Sequence, residues 1–382
     1  MRTCLLEVKY SNIYYKLIRQ IYLYWNLQLT LNCNLNCNYC NAQETTSTFP
    51  KKVTYSVAML KNFIEKDPDA VILFYGGEPL LETKLMLEIM DSINAKKFIL
   101  QTNGLLLHKI PVSYLEKFDD ILVSIDGNKE ITDFNRGINT FNRVIENCKN
   151  IREKGFKNEL IARMTVGEQS NIYRDVNFLL SLENPQFDSV HWQLDMMFNE
   201  QQNWKNLKGW IKIYNNDVKK LIEEWLERMK REGKVTKIYP FIAIMKSLIL
   251  NKPTKLYCGC GWIWQNINTD GTISACPVCS EFGIFQFGHI ENTHPLDTKN
   301  AMEVKKPCIN CNYFRLCGGR CLFANYCKPW GEQGFDLVCN TIKNLIDNLK
   351  KIKLQVVELI KEGIIKIEQF NYSEFNGCEI IP

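Results

Sequence analysis

Three cysteines stand within eight residues of one another as Cys33-Asn-Leu-Asn-Cys37-Asn-Tyr39-Cys40, and ten more crowd between Cys258 and Cys339. Thiolates are soft ligands that suit iron-sulfur clusters and zinc, and a CxxxCxxC loop can offer three of them to one centre. On a cubane 4Fe-4S cluster, three thiolates leave the fourth iron open to another ligand, and an open iron is a reactive iron. A zinc site or a redox-active cysteine loop is the other chemistry this spacing allows. The later run reads Cys258, twelve residues, Gly271, four residues, Cys276, then Cys308-x2-Cys311-x5-Cys317-x3-Cys321 and finally Cys339. With four histidines in the chain (His108, His191, His289, His294), thiolates must dominate any metal site.

Disulfides do not account for 16 cysteines here, because Glu7, Lys9, Lys16 and Arg19 interrupt any export signal at the start of the chain. No apolar run approaches the ~18 residues of a membrane span, so the expectation is a cytoplasmic protein with no membrane partner. Its 382 residues are 46% hydrophobic and 23% charged, enough for a large core under an ordinary surface. A net charge of +5 from scattered lysines makes no case for a nucleic-acid partner.

Cysteines on loops need a frame. From Trp25 to about Leu194 short β-branched and aromatic runs alternate with helix-period segments, the rhythm of βα units on a parallel sheet. Six strands are expected, at Trp25 to Leu31, Ala70 to Tyr75, Lys97 to Thr102, Ile121 to Ile125, Leu160 to Val166 and Val190 to Leu194. The clearest helix is Thr140 to Lys154, with Phe141, Val144, Ile145, Cys148 and Ile151 on one stripe. Helices without an intervening strand follow at Trp204 to Lys230 and Pro240 to Leu250, and a boundary is expected near Asn251 to Lys255. Loops organised by metal should fill Tyr257 to Asn340 before a lysine-rich helix at Ile342 to Glu362. The resulting units are 1–24, a lead segment; 25–199, a partial barrel; 200–254, a helical bridge; 255–340, the cysteine-rich unit; and 341–382, a helix and tail.

The first cysteine loop follows the first strand, where α/β barrels bind ligands, and further polar stations follow the next strands. They are Gly76-Gly77-Glu78-Pro79-Leu80, Thr102-Asn103-Gly104 and Ser124-Ile125-Asp126-Gly127, with Arg136-Gly137 and Thr140-Phe141 beyond. This series resembles the radical S-adenosylmethionine (radical SAM) superfamily. The resemblance implies an α/β fold, a partial (βα)6 radical SAM barrel. It implies a 4Fe-4S cluster on Cys33, Cys37 and Cys40 that binds the methionine portion of S-adenosylmethionine. Contacts to that cofactor are implied for Tyr39, Gly76, Gly77, Glu78, Asn103, Ser124, Asp126 and Arg136. Glu78 is expected to receive the amino group, and Ser124 with Arg136 the carboxylate. Thr132-Asp133 stands where many relatives have a histidine-aspartate pair.

The second cysteine run resembles the SPASM extension of enzymes that modify peptides and proteins. Membership implies two auxiliary 4Fe-4S clusters, the distal one on Cys308, Cys311, Cys317 and Cys339, the nearer one on Cys258, Cys276 and Cys321. An eighth ligand is then missing; Cys260 is favoured over Cys279 and Cys327, while Cys4, Cys148 and Cys378 read as ordinary thiols. The activity implied is reductive cleavage of S-adenosylmethionine, fed by an electron donor such as ferredoxin or flavodoxin, and hydrogen abstraction from a peptide or protein substrate. The resemblance is greatest to peptide-modifying members of archaeal type. Sulfatase-maturing members carry an aspartate where this sequence has Pro277, and the 24 residues before Trp25 are too few for a leader-binding module. Asp195, at the end of the sixth strand, is a candidate catalytic group near the substrate or a loop carboxylate. A small-molecule cofactor precursor as substrate, and a non-catalytic electron carrier, are the alternative readings.

Overall fold

The computed structural model describes residues 22–40, 48–195 and 205–377. Cys4, Cys378, Trp204 and nearly all of the 1–24 lead segment lie outside the described residues.

The strands and helices alternate as the hydrophobic pattern requires. Strand β1 (Tyr24–Gln28) leads by way of α1 (Val57–Ile64) to β2 (Val71–Tyr75), and α2 (Thr83–Ser92) leads to β3 (Lys97–Thr102). Short α3 (Val112–Leu115) precedes β4 (Phe118–Ser124), and α4 (Lys129–Arg136) and α5 (Thr140–Glu153) precede β5 (Glu159–Val166). Helix α6 (Ile172–Leu180) then leads to β6 (Ser189–Leu194). All six expected strands are present, β3 with its expected bounds and the others with ends moved by up to three residues.

The sheet is larger than six strands. After α7 (Leu207–Glu232) a two-residue β7 (Lys237–Ile238) pairs parallel to β6, and α8 (Tyr239–Ile249) packs behind it. Strand β8 (Trp264–Ile267) pairs parallel to β1 from the other side, and β9 (Thr272–Ser274) and β10 (Gln286–His289) continue it antiparallel. The order is β10-β9-β8-β1-β2-β3-β4-β5-β6-β7. Two expectations are corrected: the bridge contains a strand, and the cysteine-rich unit opens as a strand of the barrel's own sheet. Two residues are too few to show alternation, and Gln265 and Asn266 disguise β8 as polar although both are fully buried.

The remaining helices are α9 (Phe314–Cys317), α10 (Leu322–Cys327) and α11 (Gly331–Lys361). The last begins eleven residues before its expected start at Ile342, because Phe335 and Val338 already carry the buried stripe that Ile342, Leu345 and Ile346 continue. Cys339 therefore sits on a helix.

Register and alternation fix which side chains point into the barrel. Asn26, Leu73, Ile99 and Asp120 are aligned across successive strands, as are Ser124 and Arg163, and Thr165 and Gln193. Trp25, on the opposite face of β1, meets Phe63 of α1 edge-on. The chain closes the N-terminal end of the barrel with residues 371–377. Ser373 donates to Asp120, and Asn376 Nδ2 donates to Tyr239 Oη (3.2 Å), which itself donates to Glu159 Oε1 (3.2 Å). Phe375 lies between Tyr24 and Trp262.

Candidate active site

The first cysteine loop leaves β1 at the C-terminal rim of the sheet, and two glycines let the β2 turn press against it. Gly77 N–H donates to Thr30 O (2.8 Å) and Glu78 N–H to Asn32 O (2.9 Å), directly before Cys33. A Cβ on Gly76 would lie 2.2 Å from Thr30 O, and one on Gly77 2.3 Å from Asn32 O, so neither position admits a side chain. Cys33 Sγ accepts from Leu35 N–H (3.4 Å) and from Asn103 Nδ2 (3.7 Å), and Cys40 N–H turns back to Cys37 O (3.0 Å). Burial pushes Cys37 up to about 11 against the pull of the nearby Arg136 guanidinium, and burial raises Cys33 as well. Three clustered thiols, one of them receiving N–H groups and one beside a cation, are a donor set suited to an iron-sulfur cluster, which takes them as thiolates.

Glu78 is fully buried and faces protein rather than open space. Its Oε1 accepts from Leu80 N–H (3.0 Å) and Thr102 Oγ1 (2.8 Å), and its Oε2 from Asn103 N–H (2.7 Å). Burial raises its carboxyl to about 7, the three donors opposing the shift. Glu78 thus ties the β2 and β3 loops, and Asn103 carries the tie to the cluster loop by donating to Asn34 Oδ1 (2.7 Å).

A second tie is centred on Asp126. Its Oδ1 accepts from Arg136 Nη2 (2.8 Å) and Thr165 N–H (2.9 Å), and its Oδ2 from Arg136 Nε (2.9 Å), Tyr39 Oη (2.9 Å) and Asn135 Nδ2 (3.2 Å). The Arg136 guanidinium lies 5.4 Å from the centre of the Tyr39 ring. Burial alone would lower the Arg136 pKa, but Asp126, Tyr39 and Cys37 outweigh it, and the net shift is upward. Tyr39 sits between two of the cysteines, so this cluster of bonds anchors their loop to α4, with help from Asn38, which donates to Asn135 O (2.9 Å) and Phe134 O (2.7 Å).

Sequence reasoning missed Arg163. It points into the barrel level with Ser124, donates through Nη2 to Gln193 Oε1 (2.7 Å), and its buried Nε has no hydrogen-bond partner. A signal was available: Glu159 to Val166 alternates with Arg163 at an inward position, but alternation alone does not say which face is the lumen. Asp195 directly follows β6, its N–H bonded to Val166 O (2.9 Å), and its carboxylate lies by Gly167.

The later cysteines fall into two neighbourhoods. Cys260 lies within hydrogen-bonding reach of the thiols of Cys258 and Cys276, and Cys276 within reach of Cys279, which senses Cys321. The adjoining thiols of Cys260 and Cys279 hold Cys276 well below the usual thiol value. The second neighbourhood joins Cys308, Cys311, Cys317 and Cys339, where burial pushes Cys317 up to about 12 and Cys339 to about 11. Arg320 is close enough to oppose both shifts. Two groups of four or more thiols, each at bonding or electrostatic range of its neighbours, match the cubane's need for one thiolate per corner iron. Among the described residues, no three His, Cys, Asp or Glu side chains close around a single ion-sized point. Cys327 is exposed and apart from both groups, and Cys148 is buried on α5 with its thiol raised to about 12 by burial. Among the described residues, no helix is long and apolar enough to cross a membrane.

Comparison with known proteins agrees with this geometry. Residues 27–175 match the model of the Radical SAM superfamily. A cysteine-type anaerobic sulfatase-maturating enzyme of Clostridium perfringens is 23% identical over 357 residues, covering 82% of this chain and 92% of that protein. Among solved structures, native anSMEcpe with bound AdoMet and Cp18Cys peptide superposes with a TM-score of 0.69 at 20% identity, covering 89% of this chain and 99% of that one. Streptococcus suis SuiB bound to its precursor peptide SuiA gives a TM-score of 0.52 at 17% identity, over 78% and 71% of the two chains. Residues 27–175 are a radical SAM domain, in a chain homologous over four fifths of its length to the cysteine-type anaerobic sulfatase-maturating enzymes and built on the same fold.

Proposed function

We propose that this radical SAM enzyme modifies a peptide or protein, using one 4Fe-4S cluster on Cys33, Cys37 and Cys40 and two auxiliary clusters on the later cysteines. The carrying observation is the convergence of the three-thiol loop, the Glu78–Asn103 tie and the Tyr39–Asp126–Arg136 tie on the C-terminal rim of the parallel sheet. Together, the bound cluster and S-adenosylmethionine supply a 5'-deoxyadenosyl radical that takes a hydrogen atom from the substrate.

The chain's own residues aim and shield that chemistry. Leu35 N–H and the Asn103 amide point hydrogens at Cys33 and stabilise it as a thiolate. The Gly76–Gly77 turn brings backbone groups within reach of the cofactor's amino group, and Glu78 holds that turn in place. Ser124 and Arg163 meet the cofactor carboxylate, a task for which Arg163 has a free buried N–H, whereas Arg136 gives its Nε and one Nη to Asp126. Asp195 is the candidate for a polar contact to the substrate. Cys40 is the exposed member of the first trio and leaves that cluster within reach of a ferredoxin- or flavodoxin-like donor. Such a protein works in the reducing cytoplasm.

The peptide reading is supported by likeness along most of the chain to a sulfatase-maturating enzyme and by the peptide held in the solved neighbour of the same fold. Pro277 opens a 3-10 turn where sulfatase-maturing members place a carboxylate, which weighs against formylglycine formation among the peptide modifications. The test is anaerobic incubation of the reduced, reconstituted protein with S-adenosylmethionine and candidate small proteins. Formation of 5'-deoxyadenosine together with a mass change in one peptide supports the proposal. Absence of 5'-deoxyadenosine, or its persistence after Cys33, Cys37 and Cys40 are all replaced by alanine, sinks it; a changed small molecule with every peptide unaltered moves the substrate to a cofactor precursor.

A further inference from the structure

The nearer auxiliary neighbourhood holds one thiol too many. A cubane offers four corner irons, whereas five thiols, Cys258, Cys260, Cys276, Cys279 and Cys321, pack around one apolar cluster here. Cys260 approaches from the Cys258 side, on a backbone bent by Gly259 (φ +76°) and Gly261 (φ +65°). Cys279 approaches from the Cys276 side, on the 3-10 turn Pro277–Cys279, whose last N–H returns to Cys276 O (3.2 Å). Both are buried, and both share an apolar environment with Leu256, Ala275 and Phe285.

Each of the two has its own resting place as a neutral thiol. Cys260 Sγ donates to Ala275 O (3.0 Å), and Cys279 Sγ donates to Cys276 O (3.5 Å). The two acceptors are consecutive carbonyls of one strand end. Whichever thiol binds iron gives up its proton and its carbonyl; the other keeps both, so neither arrangement leaves a thiol hydrogen buried without an acceptor. Nothing comparable holds for Cys327, which is exposed.

We propose that Cys260 and Cys279 are interchangeable fourth ligands of the nearer cluster, each able to complete it with Cys258, Cys276 and Cys321. This rests on the auxiliary-cluster reading above. Its consequence is functional: with a second thiol always at hand, the nearer cluster has no iron open to a substrate heteroatom, and it serves to pass electrons or tune the site.

The test is made in a background in which Cys33, Cys37 and Cys40 are alanine, so that auxiliary clusters alone are read. Anaerobic reconstitution should give about eight irons per chain. Cys260→Ala and Cys279→Ala should each keep about eight irons and an electron paramagnetic resonance signal that added cyanide does not move. The double variant should either lose about four irons or acquire a cyanide-responsive signal. A single variant that behaves like the double variant overturns interchangeability and identifies the one true ligand. A double variant that keeps its irons and ignores cyanide also overturns it. A background that holds no iron overturns the auxiliary-cluster reading itself, and the inference with it, before either single variant is compared.

Discussion

Arg136 and Arg163 divide between them two tasks that a guanidinium can perform. Arg136 forks onto a fully buried Asp126 and is itself nearly buried. Removing it leaves that carboxylate without its cation, and Arg136→Ala should cost about 3–5 kcal/mol of stability in urea titrations. Arg163→Ala, by contrast, should leave the urea midpoint nearly unchanged and weaken S-adenosylmethionine binding by roughly 1.5 to 3 kcal/mol, about ten- to a hundredfold. Equal dissociation constants for wild type and Arg163→Ala would return the carboxylate contact to another residue. Glu78 makes a separate prediction. Its carboxyl is raised from 4.5 to about 7, chiefly by burial, so the folded state holds its proton where the unfolded chain has released it. This group's contribution is therefore full below about pH 4.5 and falls as pH rises through 7, by on the order of 3 kcal/mol. The Glu78→Gln variant should lose that component of the pH slope; a variant whose stability tracks wild type in parallel from pH 4.5 to 7.5 contradicts the assignment.

At the scale of elements, the segment after α11 decides how the barrel ends. Strands β1, β4 and β5 begin with Tyr24, Asp120 in the third position, and Glu159, an aromatic ring and two acids at the barrel's N-terminal end. Ser373, Phe375 and Asn376 cover them. Burial lifts Asp120 to about 6, and the Ser373 hydroxyl opposes that lift because it stabilises the ionised form. Ser373→Ala should thus cost roughly 1.5 to 3 kcal/mol above pH 6, where Asp120 is charged, and progressively less below it. Thermal melts at pH 5 and pH 8 give the comparison, and a cost that is the same at both values removes Asp120 from the account. Helix α11 shows why a boundary read from composition falls late: Gly331 and Gly334 look like loop residues, yet Phe335, Val338 and Ile342 already lie on its buried face.

Across the whole molecule, the cysteine-rich part and the barrel share one sheet. Strand β8 completes the edge of β1, and Asn26 Nδ2 reaches across to Asn266 Oδ1 (2.6 Å) in a fully buried contact. Asn266 in turn donates to Asn268 Oδ1 (2.7 Å) and Ser274 Oγ (3.1 Å). A fragment ending at residue 254 would expose the β1 edge and strand a buried amide, which are conditions for aggregation and lost cooperativity. Produced alone, that fragment should lack the cooperative melt of the full chain. A soluble fragment that melts cooperatively at the full chain's temperature would show the two parts to be independent.

By itself the sequence determined what is local. Six of the strands, the span of α5 and the cysteine spacings are legible because hydrophobic period and covalent distance act within a few residues. β3 was placed to the residue, since Phe98 to Thr102 is an unbroken buried run that Lys97 opens. Tertiary structure decided everything that depends on residues far apart. Leu29 to Leu31 were expected to extend β1, but Thr30 and Asn32 instead bond the β2 turn. Arg136 was expected at a cofactor carboxylate and is found on Asp126, while Arg163 faces the lumen. The fold brings Cys260 and Cys279, nineteen positions apart, to the same Cys276. The physical reason is common to all three: a backbone carbonyl, a charge or a thiol takes the partner that burial places beside it, and burial is set by the packing of the whole chain.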